Sequence, residues 1–196
     1  LDSAQLSAIE TADLAVLTTA QISSLATASV ALLSTDQVVA MGTAQIASLT
    51  TTQAAALTTD QIVAMTTTQA KALTSAQLNA LDSAQLSAIE TADIAVMTTA
   101  QVSGLSSDSV AMLSTDQIVA LGTAQVASLT SAQMAAMDSS QINAIETEDV
   151  AALTTSQLAK LDTLTVSRLS TDQVVALSTA QIKALTSSQL NALSSD

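Results

Sequence analysis

Aliphatic residues return at every eighth position along the whole chain. We divide the sequence into octads on this repeat, so that residues 113–120 fill slots one to eight of one octad. Slot one is Leu, Ile or Met in all 24 full octads, and slot six is Ile, Val, Leu or Met except at Ala54 and Ala70. Slot three is always Ser or Thr, and slot five is Gln in 18 of the 24 octads. The consensus LTTAQIAA therefore places two apolar positions in each octad, with polar residues between them.

The order of residues within an octad is that of a helix N-terminus. In LSTDQI, Leu113 precedes Ser114, Gln117 follows three residues later, and Ile118 comes next. This order predicts a capping box inside a hydrophobic staple, with Ser114 and Gln117 exchanging bonds between side chain and backbone. Slot three is an alternative N-cap, because its hydroxyl is always present whereas slot two also admits Ala, Gly and Glu. The sequence leaves slots two and three open as the N-cap.

Neither one long helix nor a continuous strand suits this spacing. At about 100° per residue, an octad ends about 80° past two full turns, so the aliphatic rows of a continuous helix would wind around it. In an unbroken strand, slots one and six would lie on opposite faces, and the chain has only three Gly and no Pro for turns. We therefore predict an all-α fold with one very short helix per octad, and a β-solenoid is the alternative.

A helix of this length needs its neighbours, because isolated helices shorter than about 12 to 15 residues are marginal in water. Stacked octads would bury their Leu and Ile rows in a thin aliphatic core, as in a solenoid. We predict a single solenoid or superhelix over residues 1–196. Residue 1 is Leu and no leader precedes the repeats, so we expect a segment of a longer chain with its export signal elsewhere.

The composition argues against several classes of function. His, Cys and aromatic residues are absent, which removes the usual zinc ligands, the catalytic thiolate and the general-base imidazole. The net charge is −13, from 17 acidic and 4 basic residues, and should repel phosphate backbones and anionic lipids. The mean hydropathy is +0.47, yet no apolar run approaches the roughly 18 residues of a membrane span. We expect no enzyme activity, no nucleic-acid partner and no membrane insertion.

Acidic residues recur in three related blocks, which begin at residues 1, 81 and 137. Carboxylate oxygens are ligands that Ca²⁺ prefers, so the blocks are candidate calcium sites, and no other cofactor is predicted. The alternative is structural, because Asp at slot two caps a helix and acidic residues in a first turn favour the helix dipole. The candidate ligands are Asp2, Glu10, Asp13, Asp82, Glu90, Asp93, Asp138, Glu146, Glu148 and Asp149.

The remaining side chains predict structural roles or surface functions. No catalytic base accompanies the many Ser and Thr, so we interpret them as helix caps. A regular Thr row on a flat face would order water, which makes an ice-binding surface an alternative function. We interpret the methionines as core residues that fill irregular gaps; they are Met41, Met65, Met97, Met112, Met134 and Met137.

Over its whole length, the chain resembles the Ala-Leu-Thr-Thr-Ala-Gln repeat tracts of large bacterial surface or secreted proteins. The resemblance lies in octads such as LTTAQIAA, and it implies a bacterial, extracellular or cell-surface, non-enzymatic role. We accordingly expect a structural stalk, fibre or spacer that self-associates through its ends or sides. A protein-binding or calcium-binding adhesin module is a further alternative.

Overall fold

The computed structural model describes residue 5 and residues 8–193. Within these residues the secondary structure consists of 23 short helices, one per octad, and no strand. The predicted all-α fold is confirmed, and the alternative of a β-solenoid is wrong. The chain divides into two compact units, Leu1–Met97 and Thr98–Asp196, which are described separately below.

The first unit contains eleven of the described helices: α1 Thr11–Ala15, α2 Thr19–Ser23, α3 Thr27–Ala31, α4 Thr35–Ala40, α5 Thr43–Ser48, α6 Thr51–Ala54, α7 Thr59–Val63, α8 Thr67–Ala72, α9 Ser75–Leu78, α10 Ser83–Ser87 and α11 Thr91–Val96. The second unit contains the other twelve: α12 Thr99–Ser103, α13 Ser107–Ala111, α14 Thr115–Val119, α15 Thr123–Ser128, α16 Ser131–Ala136, α17 Ser139–Ala144, α18 Thr147–Ala152, α19 Thr155–Lys160, α20 Thr163–Ser167, α21 Thr171–Ala176, α22 Thr179–Ala184 and α23 Ser187–Leu193.

Where a helix reaches slot eight, it ends because the backbone becomes extended for the next two residues, after which the following helix begins. After α5, Leu49 has φ −56° and ψ 135°, and its N–H donates to the Ile46 carbonyl at 3.2 Å. Thr50 follows with φ −67° and ψ 160°, and α6 begins at the next residue. No described residue has a positive φ. Ordinary L-residues can therefore make every such link, which explains how the chain turns so often with so few glycines.

In the first unit, each helix packs against the third helix along the chain. The pairs run from α1 with α4 to α8 with α11 without interruption. Helices that are adjacent in sequence are thus placed around a coil, and the coil closes between three and four octads later. The unit is a solenoid of short helices, as predicted.

The second unit has the same stacking. Its contacts include α12 with α15, α14 with α17 and α20 with α23, and α16 contacts both α19 and α20. The additional pair shows that a coil is longer than three octads. This unit is also a solenoid.

The core of each unit consists of the two aliphatic slots. Slot six is the more deeply buried, as at Ile46 and Ile118, and the two alanines at this slot are buried as well. Five of the six methionines lie in the core, as predicted. The prediction is wrong for Met112, which is 41% exposed because slot eight lies at the outward-facing end of its helix. Among the described helices, none has the length and apolar character that a membrane span requires.

Candidate functional site

The helix start is the element that every octad repeats. In the octad of α14, the Ser114 Oγ accepts from the Gln117 N–H at 3.2 Å, and the Gln117 Oε1 accepts from the Ser114 N–H at 2.9 Å. This is the predicted capping box, with slot two as the N-cap. The choice that the sequence left open is therefore decided against slot three, which is the first residue of each helix.

Slot two remains the N-cap even where its side chain makes no cap hydrogen bond. Gly42 has only its backbone N–H, which donates to the Gln45 Oε1 at 2.7 Å. At Glu10, Glu90 and Glu146 the backbone has the same extended conformation, and none of these side chains makes a cap bond. Gln45 still supports the helix start at Gly42, whereas the three Glu octads have Asp at slot five and keep the same start without a side-chain cap bond.

The Gln of slot five also joins one coil to the coil before it. The Gln77 Nε2 donates to the carbonyl oxygens of Ile46 at 2.8 Å and Leu49 at 2.7 Å, which are 31 and 28 residues earlier. In the second unit, the Gln133 Nε2 donates in the same way to two carbonyls at the same separations. We call this series of coil-to-coil bonds the glutamine ladder. Other members that donate at both separations include Gln45, Gln53, Gln61, Gln69, Gln141, Gln173, Gln181 and Gln189.

A ladder Gln satisfies its entire amide group inside the protein. The Gln77 Oε1 accepts from the Thr74 N–H at 2.7 Å, while both hydrogens of Nε2 have carbonyl acceptors. The side chain is only 2% exposed, so an unpaired amide there would be costly. Slot five requires an acceptor and a two-hydrogen donor in one side chain, and Gln supplies both.

Two buried carboxylates stand where the ladder would place a Gln. Asp93 on α11 is 2% exposed and Asp149 on α18 is 3% exposed. A carboxylate lacks the amide hydrogens, so it cannot donate to a carbonyl of the preceding coil. Burial, and secondarily the negative charge of Glu90, raise the pKa of the Asp93 carboxyl above its ordinary value.

Thr165 interrupts the ladder in α20, and a different residue replaces the missing bond. The Arg168 guanidinium donates to the Met137 carbonyl, which is 28 residues before Thr165 and is the acceptor that a Gln would use. The Thr165 hydroxyl is fully buried and has no hydrogen-bond partner among the described residues. Its backbone N–H donates to the Asp162 carboxylate at 2.7 Å. This bond, together with the Arg168 charge, holds the pKa of Asp162 below its ordinary value.

The structure separates the candidate calcium ligands rather than bringing them together. No group of three acidic side chains that could bind a metal occurs in the described part of the chain. Asp82 and Asp138 are N-caps that accept from the N–H of slot five, each at 2.8 Å. Asp13, Glu148 and the three Glu at slot two are exposed, whereas Asp93 and Asp149 are buried at the ladder position. Asp2 lies outside the described residues, and calcium binding stays a prediction.

Sequence reasoning assigned slot five to capping alone and missed its second role. A signal for that role was present, because Glu is as suitable as Gln in a capping box. Slot five is nevertheless Gln in 18 of 24 octads of an acidic chain, and Glu never occurs there. A preference for the amide over the carboxylate indicates that its hydrogens are used.

The stacked helices and the ladder together define an α-solenoid made of octapeptides. The chain belongs to the ALTTAQ repeat family, whose pattern matches residues 6–43, 38–67, 86–123, 118–145, 142–179 and 166–196. The resemblance to Ala-Leu-Thr-Thr-Ala-Gln repeats is thereby confirmed. A comparison with curated protein sequences finds no match.

Proposed function

We propose that the chain is a non-enzymatic structural module, a stalk or spacer, of a bacterial surface or secreted protein. The observation that carries the proposal is that one octad contains everything needed to extend the fold. Each typical octad supplies a capping box, two core residues and the two ladder bonds to the preceding coil. Adding octads therefore adds length without requiring a new core or a new kind of contact.

The chemistry of the described surface supports a spacer better than a binding site for an anionic partner. The side chains of slots two, three and four are almost all exposed, and they are mostly Ser, Thr, Ala and Asp. With a net charge of −13, such a surface keeps neighbouring modules apart in solution. Self-association through ends or sides stays a prediction, which sedimentation velocity at increasing concentration would test.

The proposal is tested by measuring length against octad number. The longest dimension would be determined by small-angle X-ray scattering for the chain and for variants in which residues 41–96 are duplicated once or twice. Helix axes pack about 8 to 10 Å apart, and seven octads make about two coils, so each duplication should add roughly 20 Å. Growth as the cube root of chain length, as in a compact globule, would refute the role of spacer.

One observation favours an ice-binding surface as a second candidate. The hydroxyl-bearing residue of slot three is not the N-cap, and it is exposed in most described octads, as at Thr35, Thr43 and Thr115. A hydroxyl that is always present at slot three and is exposed in most described octads is available to contact ordered water. Thermal hysteresis of dilute protein, lost when slot-three Thr residues are changed to Lys, would favour this function over the spacer.

A further inference from the structure

Each unit contains one buried carboxylate at the ladder position. They are Asp93 in the first unit and Asp149 in the second. The ladder bonds of Gln reach back 28 and 31 residues, so the same register places Asp149 opposite the carbonyls of Leu121 and Ile118. In the neighbouring octad, Gln141 donates to the equivalent carbonyls of Leu113 and Val110 at 2.7 and 3.0 Å.

The contrast between these two octads is chemical. Asp is one methylene shorter than Gln, and its ionised form has acceptor oxygens where the ladder needs donor hydrogens. No Lys or Arg lies on α18 or on the helices α15 and α21 that pack against it, and the nearby charges in its own octad are Glu146 and Glu148. No cation on these helices therefore compensates for the missing bonds, whereas Arg168 does so directly after α20.

The first unit has the same arrangement at Asp93. By the register of the ladder, Asp93 stands opposite the carbonyls of Met65 and Ile62. The neighbouring helix α8 carries one charged residue, Lys71, which is exposed. Burial, and secondarily the charge of Glu90, raise the pKa of the Asp93 carboxyl, and no cation on α8 is buried beside it.

We propose that the octads of Asp93 and Asp149 are yielding joints, at which neighbouring coils separate before the coils of the same unit that are held by a ladder Gln. A joint has aliphatic core residues at slots one and six and a short helix, like other octads, but it lacks the two coil-to-coil bonds and the side-chain cap bond. Local opening of a protein begins where the fewest contacts resist it. In the spacer role proposed above, on which this consequence alone depends, the module would lengthen at these two places before it lengthens at coils held by a ladder Gln.

Hydrogen exchange of matched backbone amides tests the proposal. The Leu121 N–H donates to the Ile118 carbonyl at 3.1 Å, and the Leu113 N–H donates to the Val110 carbonyl at 3.1 Å. The two amides have the same local bond, but only Leu113 lies beneath a ladder Gln. We expect exchange at Leu121 to be roughly 10- to 100-fold faster, because two hydrogen bonds fewer oppose opening. Equal protection of the two amides would overturn the proposal.

Three variants separate the missing bonds from other causes. Asp149→Gln should slow exchange at Leu121 to the rate at Leu113, and Gln141→Asp should raise the Leu113 rate by the same factor. Asp149→Asn replaces the carboxylate by an amide, but its side chain is still one methylene shorter than that of Gln. It should therefore slow exchange at Leu121 only in part. Full protection in Asp149→Asn, or no change in Asp149→Gln, would show that the ladder bonds do not control opening. The scattering experiment on duplicated octads is independent of this outcome.

Discussion

Replacing a ladder Gln by Glu isolates the coil-to-coil bonds from the helix cap. Glu has the same length as Gln and keeps an oxygen that accepts from the N-cap N–H, so Gln77→Glu should preserve the capping box with Thr74. It removes both hydrogens that the Nε2 donates to Ile46 and Leu49. It also places a carboxylate, 2% exposed at this position, against two carbonyl oxygens.

The expected loss follows from these contacts. Two net hydrogen bonds contribute about 1 to 3 kcal/mol together. Burying an unpaired charged group adds a further cost of at least about 1 kcal/mol. We therefore expect Gln77→Glu to lower the free energy of unfolding by about 3 kcal/mol at pH 7, measured by urea denaturation followed by circular dichroism.

Gln21 provides a matched control within the same unit. It forms the same capping box, with the Thr18 N–H donating to its Oε1 at 2.8 Å, but its side chain is exposed. Gln21→Glu should change the free energy of unfolding by no more than about 0.5 kcal/mol, since an acidic residue in a first helical turn is favourable. A similar loss in both variants would refute the reasoning, because it would attribute the role of Gln to the cap alone.

Three further perturbations have defined outcomes. Inserting one octad after Ala56 should leave the stability in thermal denaturation nearly unchanged. Inserting four residues there should lower the free energy of unfolding by about 2 to 5 kcal/mol, because it removes slot-one residues from the core. Equal effects of the two insertions would contradict the octad as the structural unit. Asp93→Asn should be more stable than the parent chain at pH 7. The difference in the free energy of unfolding should shrink as the pH falls through the raised pKa of Asp93 towards 3.8, because in this range the folded chain retains a proton that the unfolded chain releases. A difference that is independent of pH would exclude titration of Asp93 as its cause. Arg168→Met should lower the free energy of unfolding by about 1 to 2 kcal/mol, because it leaves the Met137 carbonyl without its donor. Adding Thr165→Gln to this variant should restore the lost stability. Failure of this rescue would show that Arg168 does not substitute for a ladder Gln.

Local features of this fold could be predicted because they depend on neighbours in sequence. A capping box joins residues three apart, so Ser114 and Gln117 were identifiable from their order alone. The burial of slots one and six followed from their strict apolar character. The ladder could not be predicted in the same way, because its bonds span 28 to 31 residues and depend on how many octads complete a coil.

The different positions of the candidate calcium ligands also could not be predicted from the sequence. By sequence, Asp82 and Asp93 belonged to one proposed calcium set. In the structure Asp82 is an exposed N-cap and Asp93 is a buried residue at the ladder position, so they have unrelated roles. Asp82 and Asp93 occupy different slots of their octads, which the sequence shows. Only the stacking of coils shows that slot five is the position that bonds to the preceding coil. Met112 was misassigned because residue type alone placed it in the core, whereas it occupies slot eight and is 41% exposed.

The sequence by itself determined the repeat length, the helix start of an octad to within one residue and the two aliphatic core slots, because these follow from hydrophobic spacing and from hydrogen bonds within one octad. The tertiary structure alone decided which coils meet, what the Gln amide hydrogens bind and where that bonding fails. The physical reason is that helices of four to seven residues are not stable alone. Their stability comes from contacts between coils, and the register of those contacts is set by how many octads complete a coil rather than by any one octad.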